Sequence, residues 1–207
     1  MTRSISAGCG LFLSASAALA APLPKGADSS PLYFPTAVGA TAVYRTTIGD
    51  LKMENGTFRV TKVERTRDGV RVNIERGSIG KPAVLDLMDV SANSLTLVQY
   101  GNQSVDPPRP LLRLAAKAGD TWDWEAAPVE GFQSRKYKFK VIGDEEVEVP
   151  AGKFKAILVE HETEVNGKNA KFEEWYAPKV GLVKKVYHHL GATKQVMELK
   201  SFTPGEE

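Results

Sequence analysis

Three histidines, a ladder of glutamates and a few aromatic residues are the side chains best equipped for chemistry in this chain. His161 lies in a stretch where Ile157, Val159, His161, Thr163 and Val165 alternate with Glu160, Glu162 and Glu164. On a strand the first set shares one face and the glutamates share the other. His161 is therefore the histidine expected at or near the buried side. There it is either a neutral ring held by a hydrogen bond or a ligand and proton-transfer group. His188 and His189 are adjacent, so on a strand they point to opposite faces and cannot share one metal without a bulge. Carboxylates at i and i+2 stand ~6.5 to 7 Å apart, too far to chelate one cation unaided. The Lys136, Lys138, Lys140 ladder gives those glutamates a simpler partner if the two segments pair. Each cross-strand pair of opposite charges is then worth ~0.2 to 1 kcal/mol.

Trp122, Trp124, Trp175 and Tyr176 fall at strand starts or ends, so they can line one mouth of a curled sheet. They are either core plugs or the wall of an apolar pocket. With His161 they form the candidate ligand-binding set. There is no Ser-His-Asp order, Gly-x-Ser-x-Gly, His-Glu-x-x-His or phosphate-cradling glycine loop. No catalytic residue, metal or cofactor is expected. A hydrolase-like use of His161 or His189 is the alternative within enzymes.

These side chains need strands to position them, and the sequence is written in strands. Val70, Val72 and Ile74 alternate with Arg71, Asn73 and Glu75, and Tyr137, Phe139 and Val141 alternate with lysines. Period two means one buried and one wet face. Turn signals at Asn55-Gly56, Asp68-Gly69, Gly80, Ala92-Asn93, Gly143, Pro150-Ala151-Gly152, Asn166-Gly167 and Gly191 recur mostly every 10 to 15 residues. That spacing suits hairpins rather than βαβ crossovers. A helical pattern is weak and confined to Pro110–Lys117. The fold expected is all-β: one strongly curled antiparallel sheet of ten to twelve strands, a barrel or half-barrel with mainly meander connections. Residues 34–44 and 114–124 share a glycine, a threonine two later and an aromatic five later, an offset of 80 that points to an internal duplication.

Residues 1–20 read as a signal peptide: Arg3, an uncharged apolar run from Ile5 to Leu19, and Ala18-Leu19-Ala20 before the cut. Cys9 is the single cysteine, so the mature chain has no thiol. Residues 21–32 read as a flexible lead-in, 33–203 as the β domain and 204–207 as a tail. The formal net charge of +2 shows no basic excess or block, so nucleic acid is not an expected partner. No membrane span is expected once the signal is removed.

Two turn segments are the most specific. One is Val149-Pro150-Ala151-Gly152-Lys153-Phe154, and the other is Trp175-Tyr176-Ala177-Pro178-Lys179-Val180-Gly181. With Tyr33, Pro35, Gly39 and Tyr44, they make the chain resemble a widespread group of exported bacterial proteins of unknown function. That group shows a Gly-x-x-Trp-x-Tyr start, a Val-Pro-Ala-Gly-x-Phe hairpin and Trp-Tyr-Ala-Pro-Gly-Val-Gly. Ala42 stands where tryptophan is usual, although Trp122 occupies that place in the second copy, and Lys179 stands where glycine is usual. The resemblance implies export and the curled sheet, and no activity. The function expected is a non-catalytic periplasmic or secreted binding module with an apolar groove for a small or lipid-like ligand. The alternative is a structural domain that assembles with another envelope protein.

Overall fold

The computed structural model describes residues 31–78, 81–101, 103–126, 135–165, 168–188 and 194–206. The signal segment, Cys9, His189 and the turn signals at Gly80, Asn166-Gly167 and Gly191 lie outside them. Every element among the described residues is a strand. They are β1 (Thr41–Ile48), β2 (Leu51–Arg65), β3 (Val70–Ser78), β4 (Lys81–Val90), β5 (Ser94–Tyr100) and β6 (Gln103–Arg113). The second half holds β7 (Thr121–Glu125), β8 (Lys136–Val149), β9 (Gly152–Val165), β10 (Lys168–Ala177), β11 (Gly181–His188) and β12 (Gln195–Thr203). They form one antiparallel sheet in the order β6-β5-β4-β3-β2-β1-β12-β11-β10-β9-β8-β7, curled into a nearly closed barrel.

The order is two six-strand meanders joined where β1 pairs with β12. Each starts in the same way, at the offset seen in the sequence. Gly39 and Gly119 both take positive φ, 86° and 94°. Gly39 N donates to Val60 O and Val60 N to Ala40 O; Gly119 N donates to Val141 O and Val141 N to Asp120 O. A register shift then follows in each second strand, between Val60 and Lys62 and between Val141 and Gly143.

The inner face is filled. Val60, Val72, Ile74, Met88, Leu95, Leu97 and Leu112 from the first half pack with Trp122, Trp124, Phe139, Val141 and Val159 from the second. The middle of the concave face is packed, because the curl is tight enough for side chains to meet across it. A second core lies on the other face. Leu158 and Val159 are adjacent and both buried, which requires cover on both sides of β9. The bulge at Gly143 (φ 140°) supplies it by reversing the alternation of β8, so that Val147 and Val149 join Ala156, Leu158 and Trp175. The hairpin tip bends back until Ala151 N donates to Leu199 O.

Three sequence expectations are corrected. Asn55-Gly56 is not a turn. The chain reverses at Gly49 (φ 57°) and β2 continues through Gly56, its extra residue absorbed by a register shift against β1. Gly143 is a bulge inside β8 rather than a break. Pro110–Lys117 is not helical: β6 runs to Arg113, with Leu95 paired to Leu112 and Thr96 to Pro110. Prolines 107, 108 and 110 suit this strand because it is an edge, where no ladder donor is required of them.

Candidate functional site

β6 and β7 are the two edges of the sheet and stand side by side without a backbone ladder. Trp122 Nε1 donates to Pro110 O at 3.1 Å and Trp124 Nε1 to Pro107 O at 2.9 Å. Arg113 lies over the Trp122 ring, and Arg109 lies over both Trp124 and Tyr137. The indoles thus cap carbonyls that a thirteenth strand would otherwise use.

Behind this seam, the registry of β7 to β11 brings a row of inner-face residues together. Phe139 pairs with His161 and His161 with Phe172, while Glu174 pairs with Lys185. Trp122 stacks on Phe139 at 5.1 Å and 2°. His161 is 5% exposed and lies against Tyr137, Phe139 and Phe172. Burial lowers its pKa to about 4, assisted by Lys185 and Arg109 and opposed by Glu174. It is a neutral ring at pH 7. Glu174 is also buried, and burial alone would raise its pKa. The Lys185 ammonium at 2.6 Å and the Tyr176 hydroxyl at 2.5 Å outweigh that and keep it ionised. Tyr176 is held well above the usual phenol range by burial and by the Glu174 charge. His161 Nδ1 stands 3.8 Å from Glu174 Oε2, too far for a hydrogen bond.

The structure therefore gathers Trp122, Trp124, His161 and Tyr176 around one inner-face cluster. Trp175 is not among them. It is adjacent to Tyr176, so it faces the other way, donates to Glu145 and packs in the second core. The two ladders do face each other, with Lys138 opposite Glu162 and Lys140 opposite Glu160. Glu160, however, takes its ion pair from Lys171 of β10 at 2.7 Å. His188 is directed at Glu173 on the neighbouring strand, at 3.2 Å. Sequence reading missed Arg109, Glu174 and Lys185. Arg109 and Lys185 lie in segments with no motif, and Glu174 reads as half of an ordinary Glu-Glu pair.

Open space lies at the two mouths. At one, about 630 Å³ is bounded by Tyr33, the 114–118 connection, Val141, Gly143, Asp144 and Ile157. At the other, about 510 Å³ lies against Trp124, Tyr137, Thr163, the charged ends of β7 to β9 and Asn169 of β10.

This geometry defines a nearly closed β-barrel with a packed lumen, an indole-latched seam and a cavity at each mouth. A model of a DUF3108-like family matches residues 133–192, the stretch from the start of β8 to the end of β11. No curated protein matches the chain. Two solved structures share the fold. A candidate lipoprotein of Parabacteroides distasonis is 14% identical with a TM-score of 0.59, covering 85% of this chain and 100% of its own. An exported protein with a YmcC-like fold from Bacteroides fragilis is 13% identical with a TM-score of 0.55, covering 84% of this chain and 99% of its own.

Proposed function

We propose that this is an exported binding module that takes a small, largely apolar ligand in the cavity between the β6–β7 connection and the β8–β9 hairpin. The observation that carries the reading is that cavity. Its volume, about 630 Å³, falls in the range of small-molecule sites, and Leu114, Ala115, Ala116, Val141 and Ile157 supply the apolar part of a mixed lining. Tyr33, Lys117 and Asp144 supply polar groups at its rim. Such a composition orients an amphipathic molecule by its polar end. Export is supported by the Arg3-led apolar N-terminus and by the names of the two structural relatives, one a candidate lipoprotein and one an exported protein. On that support we read the domain as periplasmic or secreted. The aromatic residues singled out in the sequence serve the barrel's packing and seam on this reading. The walls of the ligand site come from the alanine-rich connection instead.

The test is fluorescence titration with 1-anilinonaphthalene-8-sulfonate. One saturable site is expected, lost in Ala116→Trp, which fills the cavity while leaving every ladder intact. A linear, unsaturable response, or binding unchanged in Ala116→Trp, would sink the proposal. An assembly role with another envelope protein has less to stand on, because the open edge it would use is proline-rich and capped by indoles.

A further inference from the structure

We infer that the opposite mouth of the barrel holds a binding site for an oxyanion, received by Arg109, His161 and Thr163 on the Tyr137 side of the lumen. This site is independent of the apolar cavity just described, since it is built from the far ends of β7, β8 and β9.

Three polar groups without hydrogen-bond partners lie around the Tyr137 ring, and Thr163 among them borders the cavity. Arg109 has its Cζ 4.9 Å from the centre of the Tyr137 ring and 5.5 Å from that of Trp124, and no carboxylate among the described residues pairs with it. Its Nε is shut from water and has no acceptor. Thr163 is the strand partner of Tyr137, is 6% exposed, and its Oγ1 has no partner. His161 is two residues away on the same face of β9. Its ring lies 5.7 Å from that of Tyr137, and its Nδ1, 3.8 Å from the Glu174 carboxylate, makes no hydrogen bond. Buried polar atoms are nearly always hydrogen-bonded, so Arg109 Nε and Thr163 Oγ1 beside one ring are open to an acceptor from outside the chain. Thr163, Tyr137 and Trp124 border the 510 Å³ cavity directly.

The donor set decides the ligand class. A guanidinium offers a fork, a hydroxyl one proton, and a neutral imidazole one N–H. All three are satisfied together by an acceptor with several oxygens, a carboxylate or a phosphate. A metal ion is excluded by the adjacent guanidinium charge. The rim also carries Asp123, Glu125, Glu162 and Glu164 against Lys136 and Lys138. These charges are on the wet face, with Glu125 paired to Lys136 at 3.3 Å. Solvent and salt screen them, and the half-buried Arg109 is held against the Tyr137 and Trp124 rings. The inner charge therefore sets the preference.

The experiment is calorimetric titration of the mature protein with benzoate and, separately, with inorganic phosphate. In parallel, the His161 ring nitrogens are followed by NMR. One-site binding of either probe, with a shift at His161 Nδ1, is expected. Benzoate alone identifies a carboxylate ligand and phosphate alone a phosphate group; both outcomes support the site. Arg109→Gln should weaken binding at least tenfold, Arg109→Lys should restore part of it, and Thr163→Val should weaken it by roughly threefold to tenfold. Lys136→Gln on the rim should change it less than twofold. Failure of both probes to bind, or binding that Arg109→Gln and Thr163→Val leave unchanged, overturns the inference. If Arg109→Gln fails to fold, Thr163→Val decides it, since it removes the hydroxyl and keeps the β-branched shape of threonine.

Discussion

His161 shows how a side chain that looks catalytic in the sequence becomes part of a packed wall. It is enclosed by three aromatic rings, and the groups that face it are Glu174 from β10, Lys185 from β11 and Arg109 from β6. Its pKa in the folded protein is lowered to about 4, against ~6.5 for an unfolded chain. Between those values the unfolded state binds the proton and the folded state does not, so stability falls as pH falls. Going from pH 7 to pH 5 should cost roughly 2 kcal/mol from this group alone. Glu174 is held below the ordinary carboxylate range, so its stabilising contribution is present above ~4.3 and is lost only at lower pH. The two windows separate the two groups. Urea midpoints at pH 7 and pH 5 should differ clearly in the wild type and much less in His161→Gln. An equal difference in both would show that His161 is not the proton-linked group.

At the scale of elements, the turn between β10 and β11 carries a local conflict. Lys179 adopts φ 63°, the one positive φ outside glycine among the described residues. A lysine there costs about 1 to 2 kcal/mol relative to a relaxed backbone, partly offset by the extra unfolded-state freedom glycine would bring. Lys179→Gly should therefore raise stability by ~0.5 to 1 kcal/mol, seen as a melting temperature higher by ~1 to 4 °C. Lys179→Val should lower it. Gly181 allows no such exchange: it has φ 85°, and a Cβ there would come within 3.1 Å of Phe34. This turn was legible in the sequence because Pro178 stops one strand and Gly181 starts the next. The Asp68-Gly69 and Pro150-Ala151-Gly152 reversals were legible for similar reasons, as was the facing of the Lys and Glu ladders across β8 and β9. Asn55-Gly56 misled because a turn signal is local, while the position of the reversal was set by Gly49 and by pairing of Ile48 with Leu51. The second core was illegible because it depends on the parity reversal at Gly143, which no alternation count detects. Part of the candidate site was readable, since period two put His161 on the buried side and Trp122, Trp124 and Tyr176 were named as strand-end aromatics. Arg109 was not, because it reaches the cluster from the far half of the chain across an unpaired edge.

At the scale of the whole molecule, one junction differs from the other eleven. Those eleven are ladders, whereas β6 meets β7 through Trp122, Trp124, Arg109 and Arg113. The internal repeat makes this asymmetry visible. β1 meets β12 with Thr41 opposite Thr203 in a full ladder, and the equivalent meeting of β7 with β6 has only side chains. Each indole N–H bond contributes about 1 kcal/mol and each cation–π contact ~0.5 to 1 kcal/mol. The 114–120 connection keeps the two edges together, so these weak contacts form at high effective concentration. Trp122→Phe with Trp124→Phe should thus destabilise the natural chain by about 2 kcal/mol. The same pair should cost less than ~1 kcal/mol in a circular permutant opened between Lys117 and Ala118, with a short Gly/Ser linker from residue 207 to residue 31. The permutant should keep a strand-dominated circular dichroism spectrum, since no ladder is cut. Hydrogen exchange should be faster at β6 and β7 while β9 to β11 stay protected. Equal costs of the double substitution in both chains, with unchanged exchange at β6 and β7, would show that the seam holds without its covalent tether and that the indoles act only as core.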